Sequence, residues 1–139
     1  MTDALSRMLS DREWILADGA TGTNLFNMGL SSGDAPELWN ETEPGKVRKL
    51  YSGAVDAGSD LFLTNSFGGN ASRLKLHGAA DRAFELSRIA AEIGRDVADA
   101  AGRRASVART VGQNGEVVAP VVAPRSQVLW LCMTPLERP

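Results

Sequence analysis

Short apolar runs alternate along the chain with stretches in which apolar residues recur every three or four positions. The run Trp14-Ile-Leu-Ala17 ends in Asp18-Gly-Ala-Thr-Gly-Thr23, the pattern of a buried strand discharging into a tight glycine loop. Leu25, Phe26, Met28 and Leu30 then allow a helical turn or two before Ser31-Ser-Gly-Asp-Ala-Pro36 breaks the pattern. Pro44 suits an early helical position, and Val47, Leu50, Tyr51, Ala54 and Val55 follow at amphipathic spacing until Gly58 ends the helix. Residues 60–65, Asp-Leu-Phe-Leu-Thr-Asn, set three large apolar side chains before polar ones, as in a buried parallel strand with an exposed C-terminal tip. A longer helix is predicted over residues 81–101, with Phe84, Ile89, Ala90, Ile93 and Val97 as its apolar stripe and Gly102 as its C-cap. Residues 105–111 form a third candidate strand.

Strand, helix, strand, helix, strand is the alternation of an α/β fold, a parallel sheet covered by helices. An open doubly wound sheet and a closed eight-fold barrel both satisfy it, and periodicity does not separate them. A complete (β/α)8 TIM barrel takes about 250 residues, so 139 residues hold only its first two to three βα units. Residues 1–120 read as one domain. The tail, 121–139, changes character: prolines at 120, 124, 135 and 139 forbid one long helix, and the run Val128-Leu-Trp-Leu-Cys-Met133 lacks a polar, chemistry-bearing tip.

Composition narrows the function classes. With 43% hydrophobic and 23% charged residues the chain is globular rather than disordered. Fifteen basic against 17 acidic side chains, a formal charge of -2, offer no field for nucleic acid or an acidic membrane surface. No apolar run approaches the about 20 residues needed to span a bilayer, and the N-terminus lacks a signal pattern. Cys132 is the sole cysteine, so neither an internal disulfide nor a multi-cysteine metal cage is available from this chain. A reducing cytoplasm is the expected location.

Polar clusters follow the first two strands, and in a parallel α/β protein such C-terminal tips face one ligand-binding crevice. In the loop Asp18-Gly19-Ala20-Thr21-Gly22-Thr23, the carboxylate can pair with an ammonium group while small residues let backbone N–H groups approach a carboxylate. The plainer reading is a turn that caps a helix. It is no phosphate loop, because the Gly-Lys-Ser/Thr ending is missing. Thr64-Asn65-Ser66-Phe67-Gly68-Gly69-Asn70 offers neutral amides and hydroxyls that orient a substrate rather than move protons, or that simply cap a loop. Glu37-Leu38-Trp39-Asn40 brings an indole that packs a core or attracts a cationic methyl donor, with core packing favoured when it is taken alone. His77 and Cys132 each lack a second ligand nearby and read as a surface or capping residue and a small buried hydrophobe.

In this order and spacing, four stretches resemble the homocysteine S-methyltransferase family. They are Leu16-Ala-Asp-Gly-Ala-Thr-Gly-Thr23, Pro36-Glu-Leu-Trp-Asn40, Ala57-Gly-Ser-Asp-Leu-Phe-Leu-Thr-Asn-Ser-Phe-Gly-Gly-Asn70 and Arg73-Leu-Lys-Leu-His-Gly78. The resemblance implies a barrel whose strand tips hold zinc on three cysteine thiolates, with homocysteine and a small methyl donor as partners and methionine as product. It assigns Asp18, Gly19, Ala20 and Thr21 to the homocysteine amino and carboxylate groups, Asn65 and Ser66 to the pocket near the sulfur, and Trp39 with Phe67 to the methyl donor, betaine among the candidates. It places no metal ligand in this chain, since the cysteines come late in the barrel. Where the family has Gly-Ser-x-Gly-Pro after the third strand, this chain has Arg109-Thr-Val-Gly-Gln113, and from about Val121 the likeness stops. The expectation is a truncated or frame-shifted product that binds no zinc tightly and turns over nothing alone. Two other readings are a non-catalytic module, self-associating through the exposed edge of its third strand, and a small doubly wound protein that binds a ligand without metal.

Overall fold

The computed structural model of the chain describes residues 4–10, 13–110 and 112. The tail from 121, with Cys132 and the run 128–133, lies outside the described residues, as does Val111.

Helix α1 (Ala4–Ser10) precedes an extended segment that ends at Ala17, and α2 (Thr21–Asn27) follows the glycine loop. A 3₁₀ turn, Pro36–Leu38, runs into α3 (Trp39–Thr42) and α4 (Pro44–Asp56). Strand β1 (Leu61–Leu63) leads to α5 (Ala71–Leu74), the 3₁₀ turns Lys75–His77 and Ala80–Arg82, the long α6 (Ala83–Ala100) and strand β2 (Ser106–Ala108). The chain is thus α/β, mostly helical with a small sheet. No described helix is long and apolar enough to cross a membrane.

β1 and β2 pair in parallel, Leu61 with Ser106, Phe62 with Val107 and Leu63 with Ala108. On the other edge of β1 the predicted first strand shrinks to one parallel bridge, Ala17 to Leu61. Two side chains explain the shortening. The Leu16 N–H donates to Asp60 Oδ2 and the Leu63 N–H donates to Asp18 Oδ2, each at 3.1 Å. Carboxylates therefore stand in for the backbone partners that would continue the ladder on either side of the bridge. Trp14 is 67% exposed and Leu16 43% exposed, so the expected buried run is half uncovered.

The core lies between the sheet and two helices. Val47, Tyr51 and Val55 repeat every four residues on α4, and Ile93, Val97 and Ala98 face them from α6, with Phe62 of β1 beneath. The Tyr51 and Phe62 rings meet at 5.4 Å between centroids, a tilted contact that adds to their burial. A smaller cluster, Ala35, Leu74, Ala79 and Leu86, packs the loop side of α6. Pro44 does open α4, and Gly58 leaves it with φ +100°, a conformation that favours glycine.

Two features of α6 differ from expectation. Phe84 is 81% exposed. The inward stripe is instead Leu86, Ala90, Ile93 and Val97, and Phe84, two residues before Leu86, points about 200° around the helix from it. The helix also leaves through Ala101 in an extended conformation, so no left-handed Gly102 cap forms.

Candidate functional site

Parallel pairing brings both polar tips to one rim, because Ala17 and β1 run in the same direction and end together at Asp18 and Thr64. The two tips are built differently. At the first, the Asp18 N–H donates to Leu61 O at 2.9 Å and Oδ2 accepts from Leu63. Oδ1 is buried and has no hydrogen-bond partner among the described residues. Burial raises the carboxyl above its ordinary value, against the lowering effect of the Leu63 N–H. Ala20 then adopts φ 25°, the single positive φ at a non-glycine among the described residues. Strain of this kind persists only where surroundings impose it.

At the second tip the hydrogen-bond donors of Asn65 and Ser66 are engaged within the protein. The Asn65 N–H donates to the Tyr51 hydroxyl at 2.6 Å, and desolvation pushes that phenol upward. Both Asn65 amide protons are used, toward Pro36 O at 2.8 Å and Asn40 Oδ1 at 3.0 Å. Asn40, fully buried, returns its own amide protons to Asn65 O and Leu86 O. Ser66 shares its hydroxyl with Thr64 at 2.8 Å and reaches Thr110 O at 3.0 Å, while the Thr110 hydroxyl donates to Thr64 O.

A cavity of about 520 Å³ opens beside this rim, within the range of small-molecule sites. Of the residues singled out from sequence, Thr21, Asn65 and Phe67 line it. Asp18, Gly19, Ala20 and Ser66 do not, although Asp18 is one hydrogen bond behind Leu63, which does. Trp39 is not brought to the cavity. Its ring packs against the α4–α6 core, and the Lys46 ammonium already sits 4.3 Å from its centroid.

The lining also includes Asp34, Glu37, Arg73 and His77, to which the sequence assigned no site role. Glu37, 4% exposed, accepts the Gly68 N–H at 2.6 Å. An acid after proline at the start of a helical turn reads as a surface residue, so only tertiary burial exposes the role of Glu37. The Arg73-to-His77 stretch was visible as a motif, without a signal that it faces a cavity.

Among the described residues no group of three or more His, Cys, Asp or Glu side chains is arranged to hold a metal ion. These residues do not furnish a zinc site.

A sequence profile of the homocysteine S-methyltransferase family matches residues 15–129. The chain belongs to the homocysteine S-methyltransferase family. It is 37% identical over 107 residues to methionine synthase from Mycobacterium tuberculosis, covering 73% of this chain and 9% of that protein. It is 36% identical over 91 residues to methionine synthase from Mycobacterium leprae, covering 61% of this chain and 8% of that one. The fold is similar to the crystal structure of the homocysteine methyltransferase MmuM from Escherichia coli in its metallated form, with a TM-score of 0.67 and 24% identity, covering 80% of this chain and 42% of MmuM. The oxidized form gives a TM-score of 0.66 at 22% identity. The chain therefore spans under half of these solved relatives and about a tenth of these curated ones.

Proposed function

We propose that this chain is the homocysteine-binding N-terminal portion of a (β/α)8 methyltransferase barrel, contributing its first two to three βα units. In a complete barrel, zinc held on cysteines outside this chain would activate the homocysteine thiol, which would take a methyl group from a donor such as betaine to give methionine and the demethylated donor. One cysteine does not make three thiolates, so the zinc ligands come from outside this chain, which binds substrate without turning it over alone. Asp18 holds the homocysteine ammonium, Gly19, Ala20 and Thr21 present the loop to its carboxylate, and Asn65 and Ser66 border the sulfur side. Phe67 and Trp39 are the proposed methyl-donor aromatics; that Phe67 lines the cavity supports its role, whereas Trp39 would take the role only by leaving its core packing and Lys46.

The observation that carries this reading is Asp18 Oδ1, a buried carboxylate oxygen at a strand tip with no partner among the described residues. Burying an acceptor unpaired is costly, and an ammonium donor from a ligand offsets that cost. Asn65 contributes mainly by shaping the rim, since both of its amide protons are bonded within the protein.

Calorimetric titration of homocysteine into the 139-residue chain is the direct test. Asp18→Asn is expected to weaken binding by at least about tenfold, the loss of one charge-assisted contact. Equal affinities for the two proteins would remove Asp18 from the site.

A further inference from the structure

Glu37 occupies the 3₁₀ turn that precedes α3, is 4% exposed and nevertheless lines the cavity. Among the described residues its side chain takes one hydrogen bond, from the Gly68 N–H to Oε1. Among the described residues no basic side chain forms an ion pair with it. Glu37 thus presents to the cavity a buried carboxyl group with one backbone donor and no ion-pair partner among the described residues.

The surroundings hold that group in place. A Cβ on Gly68 would come within 2.9 to 3.1 Å of the Glu37 carboxyl atoms, so the turn closes directly on the carboxylate. Arg73 and His77 add basic groups to the lining, with the Arg73 guanidinium 5.5 Å from the Phe67 ring centroid. Glu37 is the buried acid of the cavity, whereas Asp34, Arg73 and His77 are exposed.

We propose that Glu37 is the cation-anchoring, specificity-determining residue of this cavity, and that the ligand group it takes is an organic cation, a primary ammonium or an onium. This deepens the homocysteine reading, because it concerns the same cavity, but it depends on a different carboxylate from Asp18. A cation beside Glu37 replaces the missing countercharge in a low-dielectric setting, where such a contact discriminates strongly against neutral or anionic ligands.

The Gly68 amide is a built-in reporter, since its proton lies on the carboxylate. Amide proton–nitrogen correlation spectra of the full chain, titrated with n-butylammonium, tetramethylammonium and butyrate, are expected to show saturable movement of the Gly68 resonance with at least one cation and none with butyrate. The two cations distinguish an ammonium from an onium site. Glu37→Gln keeps an acceptor for Gly68 and is expected to lose the cation response by at least about tenfold in apparent affinity. Should that variant lose its dispersed spectrum, Gly68→Ala displaces the carboxylate with a methyl group and is expected to lose the response likewise.

A Gly68 resonance indifferent to both cations, or a folded variant that responds as the parent does, overturns the assignment. Homocysteine that moves the Asp18 amide but not Gly68 also overturns it while leaving the homocysteine reading intact. Cations that move Gly68 where homocysteine moves nothing support Glu37 and overturn the homocysteine reading instead.

Discussion

The two strand tips on the shared rim carry similar polar residues and use them in opposite ways. Around Asn65 the donors are consumed internally: Tyr51, Pro36 and Asn40 accept from Asn65, and Thr110 accepts from Ser66. At Asp18 one carboxylate oxygen accepts from Leu63 and the other has no partner among the described residues. Saturated groups make a rigid floor, and unsatisfied ones create a demand that a ligand can meet. Polarity at a strand tip is therefore no guide to substrate contact; the hydrogen-bond inventory is.

The largest effect is expected from breaking the saturated tip. Asn40→Ala removes the side-chain donors to Asn65 O and Leu86 O and the acceptor of one Asn65 amide proton, which should destabilise the fold by about 3 kcal/mol. Urea unfolding followed by circular dichroism measures this, and a loss under about 1 kcal/mol would mean the network is dispensable. A different outcome is expected at Asp18. Its carboxyl titrates above the ordinary 3.8, so the native state holds the proton more readily than the unfolded chain. Stability from this group is fully present below the unfolded value and is lost as pH rises through the raised one. Asp18→Asn should flatten that acidic-range dependence, and urea midpoints at several pH values with identical slopes for both proteins would contradict it. The smallest effect belongs to neither tip. Arg48 and Asp96 pair at 3.0 Å on the exposed faces of α4 and α6, and Arg48→Ala should cost at most about 0.5 kcal/mol, setting the scale against which the two tips are judged.

Much of the scaffold was legible because it depends on local periodicity. Pro44, the four-residue spacing of Val47, Tyr51 and Val55, and Gly58 delimit α4 from the residues themselves. The apolar run before Thr64 likewise announced β1, and the ordered motifs pointed to the family that the profile match shows. Phe84 was misplaced because an apolar residue near a helix end fits a stripe on paper while lying on its far side.

The first strand and the division of labour at the rim were beyond sequence, for one physical reason. Whether a polar side chain is free depends on partners distant along the chain. Asp18 is placed against Leu63, Glu37 against Gly68, and Asn65 against Asn40 only when the sheet and helices close. Amphipathic spacing, glycine breaks and motif order determined the elements and the family; burial and hydrogen-bond satisfaction, which arise from packing, decided which carboxylates are left for a ligand.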